Sequence, residues 1–299
     1  MKVVLAFASV YLCWGSTYLA MRVAVESMPP FLMAGSRFIL AGSLLYAYAR
    51  RRGAAPPERI HWRSAAIVGA LLLVGGNGGV VWAEKTVPSG IAALLVASVP
   101  LWIALFQWLG PDRLRPRAWG VVGLGGGFAG VALLALWRDA TAGPVNPAGA
   151  AALVGASISW AAGTLVARRA PFPASPLLAA ALQMLAGGVL QIATGLALGE
   201  AGEVGVFTGR SWIAWGYLVV FGSLCGYVPY VWLLGVRPAA QVATYAYVNP
   251  AIAVVLGWAI LGEPLTGRML AAAALIVASV AAITVSAGRS APAAPETRR

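Results

Sequence analysis

Charged residues are scarce in this 299-residue chain: Lys, Arg, Asp and Glu make up 10% of it, whereas 60% of its residues are hydrophobic. Soluble domains average about 25% charged and about 45–50% apolar residues, and a soluble globule of this composition would expose large apolar patches. We therefore exclude a soluble enzyme, a disordered chain and a nucleic-acid-binding domain. The net charge of +12 does not favour nucleic acid, because Lys and Arg lie in short runs between long apolar stretches. The composition predicts an integral membrane protein, with the lipid bilayer as its surroundings.

Histidine and cysteine are also nearly absent. His61 is the one histidine and lies in a predicted loop, and Cys13 and Cys225 lie in separate apolar runs. This pattern excludes a disulfide framework and zinc spacing, and it offers no Ser-His-Asp arrangement. We expect no enzyme activity, no cofactor and no metal. Residues 125–130 match G-x-G-x-x-G, but they follow no strand and lie inside an apolar stretch, which favours a helix-packing seam over a nucleotide site.

Long apolar runs dominate the chain instead. About 20 residues of helix cross the hydrocarbon core of a bilayer, and ten such runs, with connectors of at most about fourteen residues, predict an all-α integral membrane fold with ten transmembrane helices. The first run is too long for the apolar region of a cleaved signal peptide. The predicted spans are Val3–Val25, Pro30–Ala49, Ser64–Ala83, Pro88–Leu109, Ala118–Trp137, Ala148–Ala167, Pro176–Leu198, Trp212–Leu234, Ala239–Leu261 and Met269–Ala287.

Basic residues alternate between the two sides of this layout. With a cytoplasmic amino terminus, fifteen Lys and Arg residues fall in inner loops and tails, five fall at the outer side, and Arg37 remains inside a span. Cytoplasmic loops carry the excess of basic residues. We therefore expect both termini in the cytoplasm.

The two halves of the chain resemble each other in register. An offset of 146 residues maps Trp14 onto Trp160, Pro30 onto Pro176 and Arg37 onto Gln183, and an offset of 150 maps Trp82 onto Trp232 and Pro100 onto Pro250. Because each half holds five spans, the second half would insert upside down. We predict a first repeat over residues 1–146, a second over 147–288 and a cytoplasmic tail over 289–299. Inverted repeats are typical of alternating-access transporters; a duplicated scaffold without transport is the alternative.

Several short motifs carry a family resemblance over nearly the whole chain. Trp14-Gly15-Ser16-Thr17, Arg37, Pro88-Ser89-Gly90 with Pro100, Tyr247-Val248-Asn249-Pro250 and the run from Leu261 to Thr266 resemble the EamA-type repeat of the drug/metabolite transporter superfamily. The resemblance implies a ten-helix carrier with an inverted five-helix repeat and cytoplasmic ends, in the inner membrane of a bacterial-type cell, that exports amino acids or related metabolites. Gly110-Pro111-Asp112 departs from the family pattern, in which many relatives carry a Gly-Glu pair there.

Arg37 is the one formal charge well inside a predicted span. A central Arg costs about 2.5–3.5 kcal/mol on insertion scales, so it should have a partner or face water. It would contact a substrate carboxylate, form a gate pair with Glu26 or Glu84, or tie helix carbonyls together structurally.

Aromatic and small polar side chains near the span centres are the other candidates for a substrate cavity. Stacked rings give an apolar pocket with polar tips, and simple helix packing is the alternative. Prolines within spans free backbone carbonyls for hinges or ligands. The predicted cavity residues are Trp102, Trp160, Asn77, Trp82, Ser98, Tyr227, Tyr230, Tyr245, Tyr247, Asn249 and Arg37; the predicted hinge or gate residues are Pro100, Pro250, Trp14 and Glu84.

These features favour an alternating-access exporter of a small molecule, with amino acids as first choice. A multidrug or cationic-compound exporter, a passive solute channel and a membrane-embedded enzyme or scaffold are the alternatives. No Asp or Glu lies near the middle of a predicted span, which favours facilitated export, although Glu26, Glu84 and Glu263 at the outer ends leave proton coupling open. The oligomeric state is left open by the sequence.

Overall fold

The structure is a computed structural model that describes residues 1–110, 118–136, 138–139 and 143–288. The predicted tail over 289–299 and the Pro111-Asp112 pair lie outside these residues. The regular elements described are helical apart from two antiparallel two-residue strands, Arg138–Asp139 and Gly143–Pro144. The chain is therefore all-α in its architecture.

Helices fill each of the apolar runs. In chain order the α-helices are α1 (Lys2–Ala24), α2 (Pro30–Arg51), α3 (Arg59–Gly69), α4 (Gly79–Ala83), α5 (Ser89–Val96), α6 (Val99–Leu109), α7 (Ala118–Leu136), α8 (Pro147–Ala167), α9 (Pro176–Ala197), α10 (Gly209–Tyr217), α11 (Val228–Val236), α12 (Ala239–Val242), α13 (Tyr245–Leu261) and α14 (Gly267–Gly288). A 3₁₀ turn covers Glu200–Glu203.

Seven helical stretches in the described part of the chain are long and apolar enough to cross a membrane. Three shorter apolar helices accompany them, at Gly120–Leu134, Val248–Leu261 and Met269–Ala282. The seven are Lys2–Ala24, Pro30–Arg51, Arg59–Ala83, Ser89–Leu109, Pro147–Ala167, Pro176–Ala197 and Gly209–Val236. The protein is therefore a membrane protein with many apolar helices.

Two of the long stretches contain π-helices, which the sequence analysis did not foresee. The first π-helix, Ala70–Gly78, connects α3 to α4, and the second, Leu218–Tyr227, connects α10 to α11. The two are separated by about the same offset that relates the two halves of the sequence. π-Helices often occur at functional sites because the wider turn changes which side chains share a face.

Helices α2 and α9 cross at two glycines. A Cβ on Gly35 would lie 2.8 Å from the carbonyl oxygen of Gly188, and a Cβ on Gly188 would lie 3.0 Å from the carbonyl oxygen of Gly35. This reciprocal contact allows the backbones to touch, as small residues do in membrane helix pairs.

The glycine-rich segment that matches G-x-G-x-x-G lies in α7. A Cβ on Gly127 would lie 2.6 Å from Leu101, and a Cβ on Gly130 would lie 2.8 Å from Ile276 of α14. The glycines therefore let α7 pack closely on α6 and α14, as a helix-packing seam requires.

Two buried or half-buried glutamates cap helix amino termini from elsewhere in the chain. Glu200 accepts hydrogen bonds from the backbone N–H groups of Phe31 and Leu32 in α2, at 3.1 and 2.9 Å. Glu263 accepts from the N–H groups of Ser89 and Gly90 in α5, at 2.8 and 3.1 Å. A carboxylate at these positions is favoured by the helix dipole.

Candidate functional site

A cavity lies between helices from both halves of the chain. The lining residues are Trp14, Thr17, Tyr18, Met21, Arg37, Phe38, Gly76, Asn77, Val80 and Val96 from the first half, and Ala156, Trp160, Gly222, Tyr227, Tyr245 and Asn249 from the second.

A cluster of aromatic rings forms one wall of this cavity. The ring of Trp14 contacts Trp160 edge-on at a centroid distance of 5.4 Å, Tyr230 at 5.0 Å and Tyr245 edge-on at 5.2 Å. Trp14 also donates from Nε1 to the carbonyl of Gly222 in the second π-helix, at 3.1 Å. Trp14 and Trp160 are the pair that the sequence repeat relates, so equivalent rings from the two halves meet at the centre.

Arg37 also lines the cavity. It is buried, with only 2% of its surface exposed, and its Nη2 donates to Oδ1 of Asn77 at 2.7 Å. Its guanidinium also lies over the ring of Phe38, 4.4 Å from the centroid, which is a cation–π distance. Among the described residues, Nε and Nη1 of Arg37 have no hydrogen-bond partner. Two donors of a buried cation are thus left for a ligand.

The two ion pairs considered for Arg37 are not formed. No carboxylate in the described ranges lies within the 4.0 Å salt-bridge distance of its guanidinium, and Glu26 instead lies 4.0 Å from Arg210 in an exposed pair. Glu84 is buried, and its two carboxylate oxygens have no hydrogen-bond partner among the residues described. Its backbone carbonyl accepts a hydrogen bond from Arg22. The sequence shows these charges but not their separation in space.

Asn249 lines the cavity from α13. With its amide group oriented so that the nitrogen faces two carbonyls, it donates to Tyr245 at 3.2 Å and to Tyr11 of α1 at 3.1 Å. The hydroxyls of Tyr11 and Thr244 share a further hydrogen bond of 2.6 Å. These contacts tie α1 to the α12–α13 stretch beside the cavity.

The two prolines predicted as equivalent hinges occupy different settings. Pro100 is the second residue of α6, directly after the break that separates α5 from α6 at residues 97–98. Pro250 lies inside the continuous helix α13, and the corresponding break falls earlier, at residues 243–244. The two halves therefore interrupt this helix at different positions.

Six of the predicted cavity residues line the cavity, and four others lie elsewhere in the structure. Arg37, Asn77, Trp160, Tyr227, Tyr245 and Asn249 line it, as does Trp14 from the gate set. Trp102 packs against Phe128 of α7, with the ring centroids 4.8 Å apart. Trp82 is 39% exposed. Ser98 is buried and its hydroxyl donates to the carbonyl of Leu95. Tyr230 lies behind Trp14 and bonds to Thr164 at 2.6 Å. The side chain of Tyr247 lies outside the described residues.

Several lining residues were not predicted. Thr17, Tyr18 and Met21 follow Trp14 at helical spacing on one face of α1, and Val80 follows Asn77 by three residues. This spacing is the signal that would have found them. Gly76 and Gly222 also line the cavity. A side chain at Gly76 would collide with its neighbour, because a Cβ there would lie 2.7 Å from the ring of Trp160.

The model of the EamA-like transporter family matches the chain twice, over residues 1–136 and 147–285. The inner membrane transporter YedA of Escherichia coli K12 is 39% identical over 281 residues, which cover 94% of this chain and 90% of YedA. The transporter YvbV of Bacillus subtilis 168 is 28% identical over 286 residues, covering 93% of this chain and 90% of YvbV. A solved crystal structure of a protein with 22% identity aligns with a TM-score of 0.68 over 95% of this chain and 97% of that one, and so shares the fold.

Proposed function

Since this chain belongs to the EamA-like transporter family and is a membrane transporter, we propose that it exports amino acids, aromatic ones included, or related small metabolites by alternating access. The observation that carries the proposal is the buried guanidinium of Arg37: its Nε and Nη1 have no hydrogen-bond partner among the described residues, and the cavity that it lines also holds six aromatic side chains. Such a site suits an amphipathic substrate with a carboxylate, because charge-assisted hydrogen bonds to a guanidinium are strong and directional.

Alternating access requires two states of similar free energy, which an inverted repeat supplies. The packing supports such a repeat, because a contact between a helix of one half and a helix of the other has a counterpart in which the roles of the two halves are reversed. Helix α1 packs on the second π-helix and α13, while α8 packs on the first π-helix, α5 and α6. Helices α2 and α9 pack on each other, and so do α7 and α14.

Hydrogen bonds at the helix ends follow the same exchange. Arg22, after an offset of 146, corresponds to Arg168, and Glu84, after an offset of 150, corresponds to Leu234. Arg22 donates to the carbonyl of Glu84, and Arg168 donates to the carbonyl of Leu234 at 3.4 Å. Each half thus ties the end of its first helix to the end of its third in the same way.

The proposal includes ten crossings, two inverted five-helix repeats and both termini in the cytoplasm. The basic residues of the predicted inner loops support this orientation, and the relative YedA is an inner membrane transporter. Single cysteines introduced near residue 2 and near residue 290, in a variant lacking Cys13 and Cys225, test it. Both should resist a membrane-impermeant thiol reagent in intact cells; labelling of one terminus alone contradicts an even number of crossings.

Export of cationic drugs is the second candidate, and the lining disfavours it. No Asp or Glu side chain is among the described residues that line the cavity, whereas Arg37 is.

A passive channel is the third candidate. A closed aromatic cluster at the centre favours a carrier, because Trp14, Trp160 and Tyr245 would have to separate for a solute to pass.

Reconstitution into liposomes tests the proposal directly. Vesicles are loaded with unlabelled amino acid and exposed to a panel of labelled amino acids and cationic dyes. A carrier for amino acids shows saturable uptake that is accelerated by the internal substrate. Saturable dye uptake without amino-acid exchange favours the drug exporter, and non-saturating flux without exchange acceleration favours the channel.

A further inference from the structure

Glu84 continues the cavity-lining face of the third span. Asn77 and Val80 line the cavity, and Glu84 follows them by seven and four residues on a helix that is continuous to Ala83 and keeps helical torsion angles at Glu84. Residues at these spacings share one helix face, about 1.5 Å apart along the axis per residue. Glu84 therefore lies about one turn beyond the cavity wall that Val80 forms.

The carboxyl of Glu84 is buried and unpaired. The residue is 0% exposed, and neither of its carboxylate oxygens has a hydrogen-bond partner in the described part of the chain. Arg22 donates a hydrogen bond to the backbone carbonyl of Glu84 and not to its carboxylate. An ionised carboxylate in such surroundings is costly, so this conformation favours the protonated form.

The charged groups around Glu84 come from three elements. Arg22 and the hydroxyl of Tyr18 lie on α1, Arg37 lies on α2, and Glu263 follows α13. Helix α8, which also packs on this segment, carries no titratable side chain. Burial raises the pKa of the Glu84 carboxyl well above its usual range, the charge of Glu263 raises it further, and the two guanidinium groups act in the opposite direction.

Glu84 and Arg37 are complementary in charge, yet they do not pair. Each keeps hydrogen-bonding atoms unused among the described residues: Nε and Nη1 of Arg37, and both carboxylate oxygens of Glu84. A zwitterionic amino acid carries the matching charges, a carboxylate for Arg37 and an ammonium group for Glu84. Only the ionised form of Glu84 attracts an ammonium group.

We propose that Glu84 is a proton-binding site at which a proton and the ammonium group of the substrate compete, so that one proton enters for each amino acid exported. The inference rests on the proposed function, and it adds the coupling ion and a second point of substrate recognition. On the cytoplasmic side, Glu84 releases its proton as the zwitterion binds between it and Arg37. On the outer side, the amino acid leaves and a proton takes its place on the carboxyl group, which returns to the buried neutral state.

The exchange moves one positive charge inward per cycle, because the zwitterion is neutral. In liposomes whose membrane potential is clamped at zero, a gradient of one pH unit therefore supports about a tenfold amino-acid concentration ratio at equilibrium, since one unit corresponds to about 1.36 kcal/mol. The experiment measures this ratio for the wild type, Glu84→Gln and the matched control Glu203→Gln. Glu203 is exposed and pairs with Lys85 at 3.1 Å.

We expect about a tenfold ratio per pH unit, by the same relation, in the wild type and the control. In Glu84→Gln we expect no ratio above one, and exchange at equal pH with a raised KM, because the ammonium group of the substrate loses its carboxylate. Exchange in the wild type that ignores the pH gradient, a ratio that survives in Glu84→Gln, or a ratio that follows a sodium gradient instead would each overturn the proton site while leaving the exporter intact. If the wild type exchanges no amino acid at all, the proposed function itself fails.

Binding calorimetry on purified protein supplies a second readout. Titration of the wild type with an amino acid in two buffers of different ionisation enthalpy should show release of a proton on binding, and Glu84→Gln should show none. If Glu84→Gln fails to fold, Glu84→Leu replaces it, because its repeat counterpart is Leu234. Equal buffer dependence in the wild type and the variant overturns the inference.

Discussion

Arg37 donates from Nη2 to Oδ1 of Asn77 at 2.7 Å, and the residues that correspond to them in the second half, Gln183 and Tyr227, form the equivalent hydrogen bond at 2.8 Å with the donor reversed. The same link between the second and third helix of each half is thus built once with a cation and once with neutral groups. The charged copy lines the cavity with donors to spare, and the neutral copy uses its amide oxygen within the link. Both halves hold this contact, whereas the chemistry of the two copies differs.

Replacing Arg37 by glutamine, the residue at the corresponding position of the second half, removes the charge while keeping a polar side chain. We expect the KM for amino acids to rise about 10- to 100-fold, because a hydrogen bond to a charged group contributes about 1.5–3 kcal/mol. Concentration-dependent exchange in liposomes measures it. The exposed Arg210→Gln should leave KM unchanged, and an unchanged KM in Arg37→Gln would remove Arg37 from the substrate site.

Variants of Trp160 and Trp102 distinguish a role in lining the cavity from a role in helix packing. Trp160→Ala removes a lining ring that contacts Trp14, so we expect KM to rise about tenfold, in line with the loss of one aromatic contact of about 0.5–1.5 kcal/mol beyond its buried area. Trp102→Ala removes a ring that packs on Phe128 outside the lining, so KM should stay near the wild-type value while thermal stability falls. Equal effects on KM from both variants would contradict the assigned lining.

Alanine substitutions at Gly35 and Gly155 distinguish the effect of a close helix contact from the effect of intrinsic helix propensity. Both are helical, but a Cβ on Gly35 would lie 2.8 Å from a backbone oxygen of α9, whereas nothing lies within 4 Å of a Cβ on Gly155. We expect Gly35→Ala to lower stability by about 1–3 kcal/mol through overpacking. Gly155→Ala should be neutral or stabilise by about 0.5–1 kcal/mol. Thermal unfolding in detergent gives both values; destabilisation of the same size in both would argue against the α2–α9 contact.

Tyr227→Phe leaves the buried Oε1 of Gln183 without the hydroxyl that donates to it. We expect a loss of about 1–3 kcal/mol of stability, the cost of an unsatisfied buried acceptor. Tyr48→Phe, at a half-exposed position, is the control and should have little effect. The double variant Tyr227→Phe/Gln183→Leu should recover part of the loss; if it is as unstable as the sum of two independent changes, the hydrogen bond contributes little.

Hydropathy predicted where the helices lie, because the apolar runs match the helical stretches to within a few residues. It did not predict their rotation. Trp102 and Trp82 were assigned to the cavity from their neighbours in sequence, but Trp102 faces α7 and Trp82 faces outward. The π-helix at Ala70–Gly78 ends just before Trp82 and changes the phase of the face that follows it. A helical wheel drawn with 3.6 residues per turn carries no information about that change.

The aromatic centre was easier to predict than the charges. Trp14 and Trp160 occupy matching positions of the two halves, and the sequence analysis placed one at the gate and the other in the cavity. The burial of Glu84 depends instead on how α1, α2 and α8 close over the end of α4, which no local pattern encodes. From sequence alone the residue belongs to a span end, where a carboxylate ordinarily meets water.

The first half carries Glu84 where the second half carries Leu234. This difference has a consequence for the direction of transport. Under the proposed proton site, Glu84 of one half binds the proton, whereas Leu234 at the corresponding place of the other half has no ionisable side chain. We therefore expect the inward- and outward-facing states to respond unequally to pH, and we attribute this asymmetry to one side chain and not to the arrangement of the helices.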